Sequence, residues 1–319
     1  MAETEPTWSA ADLARALEQF PPTEEQTRVI EAPLAPMLVI AGAGSGKTET
    51  MAAKVVYLVA NRLVAPEHVL GLTFTRKAAA ELSDRIRARL RTVAALDPGI
   101  DLATPPRIAT YNSYAAGIVA DHGLRPGVDP ESVLISEAGR FQLAERVVNT
   151  WEGDLETDLA ATSLTRAIAA LAGEISEHGL STTDVRDFLD RLIAEVESKA
   201  PAPRSKQPRS EIRTYLSRWR TRIGLMDLAD AFTRAKRERG VVDFGDQVRI
   251  AADLAARVPL VGKTERAAYH VVLLDEYQDT SIAQVQLLSA LFGAGSGHPV
   301  TAVGDPNQAI YGWRGAAAG

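Results

Sequence analysis

The sequence predicts an α/β protein, a parallel sheet interrupted by an inserted all-helical subdomain. Short apolar runs rich in Val, Ile and Leu recur at Met37 to Ala41, Val69 to Phe74 and Arg107 to Thr110, and again at Val271 to Leu274 and Val300 to Val303. Helix-period segments follow them, and strands that read apolar throughout belong to a parallel sheet covered on both faces. Between Ala116 and Arg239 the pattern changes to long helical segments with no convincing strand, at Glu137 to Trp151, Thr182 to Ser198 and Ser210 to Arg239. The expected organisation is 1–115 and 240–319 as two parts of one α/β domain, with 116–239 as the insertion.

The remaining stretches are read in the same order. Met1 to Glu5 is acidic with no apolar run behind it, which argues against a secretory signal. Met37 to Ala41 is too short to cross a bilayer, so no membrane is expected and the placement is cytoplasmic. Ala200 to Arg209 carries three prolines among polar and cationic residues, the composition of a mobile loop. Residues 201–240 hold eleven Lys or Arg against four acidic residues, a net +7 that reads equally as a solvated helix face and as a nucleic-acid contact.

Composition narrows the chemistry. With 46% apolar and 24% charged residues the 319-residue chain is neither disordered nor fibrous, and its length allows about two domains. A net charge of −6 excludes the small, uniformly basic nucleic-acid binders but leaves room for a local basic groove. The absence of cysteine removes disulfides, thiolate nucleophiles and Cys-ligated metal. His68, His122, His178, His270 and His298 show no metal-ligand spacing.

Gly42-Ala43-Gly44-Ser45-Gly46-Lys47-Thr48 fits G-x-x-x-x-G-K-[ST], placed after an apolar strand and before a helix. Glycines let successive N–H groups turn toward phosphates, Lys47 reaches the β and γ phosphates, and the Thr48 hydroxyl holds Mg²⁺. Such a cradle calls for a carboxylate strand, and Val271 to Glu276 supplies one. Asp275 would hold Mg²⁺, while Glu276 would polarise an attacking water as general base. These residues together read as an ATPase site.

Two further stretches point to the ligand that an ATPase would act on. In LTFTRKAAAEL (72–82), Phe74, Thr75, Arg76 and Lys77 stand at a strand-to-helix junction suited to backbone phosphate. In VGDPNQAIYGWRGA (303–316), a polar turn with Gln308 leads to Tyr311, Trp313 and Arg314, and rings beside cations suit stacked single-stranded bases. Taken singly, each aromatic reads as core before platform.

The set AGAGSGKT (41–48), LTFTRKAAAEL (72–82), LLDEYQDT (273–280) and VGDPNQAIYGWRGA (303–316) resembles, in order and spacing, the first RecA-like lobe of the UvrD/Rep/PcrA group of superfamily 1 DNA helicases. That resemblance implies a P-loop motor that binds ATP and Mg²⁺, moves 3′ to 5′ on single-stranded DNA and acts at DNA junctions or ends in DNA repair. PPTEEQ (21–26) resembles the family's glutamine motif, so Gln26 would read the adenine edge. Tyr111 and Asn112 sit where the family has a DNA-touching T-F-H-S stretch, and VVDFGDQ (241–247) resembles its D-F-x-D segment. By the same resemblance Gln308 would sense the γ phosphate, and Phe74, Tyr311 and Trp313 would line the base-stacking track.

Two departures stand out. Glu49 occupies a position where many relatives carry an arginine that packs on the base, and Asn112 replaces the usual histidine. Members of the family continue into a second RecA-like lobe, so the resemblance implies a fragment, weakly active or inactive alone, whose missing partner is that second motor lobe. FPPTEEQ and GKTETMAAKVVYLVAN also resemble motor subunits of AdnAB-type helicase-nucleases, which adds a partner motor or nuclease subunit to the implied partners. An ATP-gated nucleic-acid or protein binding module without sustained turnover is the alternative of a different class.

Overall fold

A computed structural model describes residues 7–124, 132–153, 155, 157, 159–199, 210–293 and 295–309. In chain order its elements are α1 (Ala10–Ala16), α2 (Glu24–Ile30), β1 (Met37–Ile40), α3 (Lys47–Ala60), β2 (Val69–Thr73), α4 (Arg76–Leu96), β3 (Arg107–Thr110), α5 (Tyr111–His122) and β4 (Val133–Leu134). There follow α6 (Glu137–Asn149), α7 (Ala161–Glu177), α8 (Thr182–Ser198), α9 (Ser210–Gly224), α10 (Met226–Glu238), β5 (Val241–Val242), α11 (Phe244–Arg257), α12 (Pro259–Ala268), β6 (Val271–Leu274), α13 (Ile282–Phe292) and β7 (Val300–Gly304).

The chain forms two compact units, residues 1–126 with 250–319, and residues 127–249. Both boundaries lie further along the chain than the expected 116 and 240, the second within α11. In the first unit the five expected strands pair in parallel in the order β1-β7-β6-β2-β3. Of the three inner strands, β2 and β6 are buried at every residue, in keeping with their nearly all-apolar sequence. β1 departs from the expected two-sided cover: it is an edge strand, and Leu38 and Ile40 are exposed at 64% and 68%.

α3 is buried from Thr50 to Ala60 except at the half-buried Ala53, and its Met51, Val55 and Leu58 join Leu82, Ile86 and Leu90 of α4 and Val271 and Leu273 of the sheet in one core. α4 presents Leu82, Ile86, Leu90 and Val93 at helical spacing to that core. α2 is joined to α3 through Lys54, whose buried ammonium donates to the carbonyls of Val29 (2.9 Å) and Ala32 (3.3 Å). These acceptors lie at the C-terminal end of α2, where the helix dipole favours a cation. Burial still lowers the Lys54 ammonium from its usual value to about 8.

In the second unit α6, α7, α8 and α10 pack around Leu143, Ile168, Leu189, Met226 and Phe232. The expected Ser210 to Arg239 segment is two helices, α9 and α10, broken at Leu225 after Gly224, a poor helix interior residue. Contrary to the all-helical expectation, β4 and β5 form a two-residue parallel pair, with Val133 opposite Val241. α7 also lies where no segment was expected. Beside β5, Lys236 is buried between Asp243 (2.8 Å) and Asp246 (2.6 Å), and the two aspartates accept from each other's backbone N–H at 3.0 Å. The Ala200 to Arg209 stretch lies outside the described residues. No helix among the described residues is long and apolar enough to cross a membrane.

Candidate nucleotide and nucleic-acid site

Because the five strands run parallel, their C-terminal ends gather the loops of interest on one edge of the sheet. The loop after β1 turns through Gly44 (φ 72°) and Gly46 (φ 79°), both left-handed. At Gly46 the positive φ calls for glycine, and a Cβ there would also come within 2.9 Å of the Gln26 amide nitrogen and push that side-chain tip aside. α3 then starts at Lys47 with Gly46 at its N-cap, and no side chain caps it. Uncapped N–H groups in a glycine-rich turn, with open space beside Gly44, fit a phosphate chain.

Opposite this turn stands the end of β6. Lys47, whose side chain is only 9% exposed, lies 3.5 Å from Glu276 Oε2. Thr48 Oγ1 donates to Asp275 Oδ2 at 3.4 Å, and Asp275 Oδ1 accepts from the Glu276 N–H at 3.0 Å. Burial, and then the adjacent Glu276, push the Asp275 carboxyl up to about 6. Glu276 itself holds a left-handed conformation (φ 50°, ψ 42°), a strained backbone of the kind that concentrates at functional sites. A hydroxyl and one carboxylate are a donor set suited to Mg²⁺, which keeps waters and substrate phosphates as its other ligands.

Gln278 joins this carboxylate turn to the turn after β7. Its amide nitrogen donates to Glu276 Oε2 (2.8 Å) and Asp279 Oδ2 (3.2 Å), and its oxygen accepts from the Asp305 N–H (3.0 Å). Gly304 makes room for this, since a Cβ there would sit 2.6 Å from Gln278 Oε1. Asp305 accepts from the Gln308 amide, which lowers its carboxyl together with the Asn307 N–H. Gln26 reaches the phosphate loop from α2, its oxygen accepting from Thr23 N–H (2.9 Å) and its nitrogen donating to the Ser45 carbonyl (3.0 Å).

A family model for the UvrD/REP helicase N-terminal domain matches residues 22–319. The chain belongs to this family. Among its relatives, DNA helicase II of Rickettsia typhi is 27% identical over 289 residues, which are 89% of this chain and 37% of that protein. The ATP-dependent DNA helicase PcrA of Leuconostoc citreum is 27% identical over 92% of this chain and 33% of its own length. DNA helicase II of Haemophilus influenzae is 29% identical over 92% and 35%. The chain thus spans about a third of the length of these curated relatives.

Within this UvrD/REP-type domain the residues expected to meet DNA divide. Phe74 is half-buried, and Thr75, Arg76 and Lys77 are exposed where α4 begins, with Thr75 capping that helix through the Ala78 N–H (3.1 Å). Asn112 is half-buried and its side-chain oxygen accepts from Gln284 Nε2 at 3.0 Å. Tyr111 is a correction: it is 3% exposed, and its hydroxyl donates to the Asp275 backbone carbonyl at 2.9 Å, so it braces the carboxylate strand from inside. Tyr311 and Trp313 lie outside the described residues.

Sequence reasoning passed over Gln278 and Asp305. A buried glutamine two residues past an acidic pair was the available signal for Gln278. It also missed that Glu49 would be bracketed by Arg85 (3.1 Å) and Arg89 (2.7 Å) of α4.

Proposed function

We propose that the chain is the nucleotide-binding motor lobe of an ATP-dependent DNA helicase, taking ATP with Mg²⁺ on the glycine loop and single-stranded DNA along the neighbouring strand ends. The observation that carries this is the uncapped start of α3 facing a buried aspartate and a strained glutamate across Lys47 and Thr48. Residues Gly42 to Thr48 would wrap the phosphates, Lys47 would bind the β and γ oxygens, and Thr48 with Asp275 would hold the metal. Bound Mg²⁺ supplies neutralisation of phosphate charge. Glu276 would accept the proton of the attacking water, a role its contacts with Lys47 and Gln278 orient. Gln308, tied through Asp305 and Gln278 to Glu276, would report the γ phosphate to the DNA side.

Gln26 would present its remaining N–H and lone pair to the adenine edge. Phe74, Thr75, Arg76, Lys77 and Asn112 would meet the strand, with Tyr311 and Trp313 assigned by family resemblance. Movement from 3′ to 5′, a role in DNA repair and a second motor lobe as partner rest on that same resemblance.

Isothermal titration of ATP·Mg²⁺ into the chain and its Lys47→Ala variant tests the reading. Charge-assisted hydrogen bonds contribute about 1.5–3 kcal/mol each, so the variant should bind at least tenfold more weakly. Equal affinities would remove Lys47 from the phosphate site.

A further inference from the structure

Phe20 is 98% exposed, the largest exposure of any bulky apolar residue among those described. Its position is imposed from both sides. Before it, the Gln19 N–H donates to the Ala14 carbonyl at 2.8 Å. The Gln19 side-chain amide faces Arg89, and with its oxygen in place of its nitrogen it would accept from Arg89 Nε and Nη2 at 2.8 Å each. After it, Pro21 and Pro22 fix two φ angles, and Thr23 closes a capping box with Gln26. The anchored backbone on either side leaves the Phe20 ring outside the core.

The ring shares a recess with Gln26, Glu49, Thr50 and Arg89, beside the first turn of α3 and the phosphate loop. The recess opens to solvent beside the exposed Phe20 ring, so a base at its mouth would face that ring. The charged groups at the rim are committed to one another: Glu49 takes Arg85 and Arg89, and Arg89 also faces the Gln19 amide. Gln26 spans from this rim to the Ser45 carbonyl of the phosphate loop at 3.0 Å. Beside the remaining amide groups of Gln26, what the mouth offers a planar heteroaromatic is the Phe20 face.

We propose that Phe20 is the platform on which the base of the bound nucleotide stacks. This rests on the nucleotide-binding reading of the glycine loop and adds the residue that distinguishes a nucleotide from a bare phosphate chain. Glu49 accordingly serves to hold Arg85 and Arg89 and makes no stacking contact of its own.

The experiment compares ATP with inorganic tripolyphosphate, each with Mg²⁺, on the whole chain carrying Phe20→Ala or Phe20→Tyr. Stacking of one base on a ring is worth about tenfold or more on alanine substitution. Phe20→Ala should therefore lose about tenfold in ATP affinity and nothing in tripolyphosphate affinity, while Phe20→Tyr retains both. Unchanged ATP affinity in a Phe20→Ala chain of normal melting temperature overturns the platform. So does an equal loss for both ligands, which would make Phe20 a prop of the loop. If the unaltered chain binds neither ligand, the nucleotide reading itself falls, and the platform with it.

Discussion

Asp275 carries a cost that its position explains. It ends a fully buried strand, and its carboxyl, pushed up to about 6 by burial and by Glu276, is held away from the 3.8 of an exposed aspartate. Between those two values the folded chain binds more protons than the unfolded one, so this group makes stability fall as pH rises from about 4 to 6. Above pH 6 the penalty is complete, on the order of 3 kcal/mol. Asparagine fits the same contacts, its oxygen accepting from the Glu276 N–H and its amide donating to Thr48. Asp275→Asn should melt several degrees above the unaltered chain at pH 7.5, with the gap closing as pH falls toward 4.5. A variant that melts lower at pH 7.5 would mean that the carboxylate is better compensated than its surroundings indicate.

The elements show a second use of buried charge. Lys236 of α10 reaches back to Asp243 and Asp246, which flank the start of α11 just after β5. Burial works to raise the Asp243 carboxyl, but Lys236, the Asp246 N–H and Arg140 outweigh it and hold it below its ordinary value. A depressed carboxyl contributes stability that is present above about pH 4 and lost as pH falls through the folded value. Removing the cation leaves two carboxylates facing each other out of water, a change that costs about 3–5 kcal/mol in buried pairs. Lys236→Met should therefore lower the urea midpoint of the unit 127–249 markedly, whereas Lys199→Met, which loses an exposed pair with Glu195, should leave it nearly unchanged. Equal effects of the two substitutions would show that the clasp contributes no more than a surface pair.

Of the clasp only its aspartates stood out beforehand, in the D-F-x-D segment, and the strand pair was not legible, for a physical reason. Two-residue strands such as Val133–Leu134 and Val241–Val242 have no periodicity to read, and their pairing depends on partners about a hundred residues apart. The five long-range strands were legible because each is a short, mostly apolar run followed by glycine or polar residues, β3 (Arg107–Thr110) being the least apolar of them. What their sequence does not state is which run lies at an edge, and so the exposure of Leu38 and Ile40 on β1 was not foreseen.

At the scale of the molecule the parallel sheet turns dispersed motifs into one working edge. Lys47, Arg76, Tyr111, Asp275 and Gln308 each follow the C-terminal end of a different strand, so residues far apart in sequence gather along one edge of the sheet. The inward place of Tyr111 escaped sequence reasoning because a residue opening a helix after a strand looks the same whether it points outward or, as here, back beneath β6. The chain is acidic overall, with a net charge of −6, so the proposed strand binding would rest on local cations such as Arg76 and Lys77, both exposed at the start of α4. Lys77 lies 3.8 Å from Glu81 in an exposed pair too weak to withhold it from a phosphate. For single strands each neutralised phosphate contributes a slope of about −0.7 in log K against log salt. The Arg76→Ala/Lys77→Ala double variant should weaken binding to labelled oligothymidine and flatten that slope by about 1.4, while ATP affinity stays as it was. An unchanged slope with weaker binding would locate the phosphate track on another part of the edge, and a parallel loss of ATP affinity would mean that the α4 junction supports the fold of the nucleotide site instead of the strand.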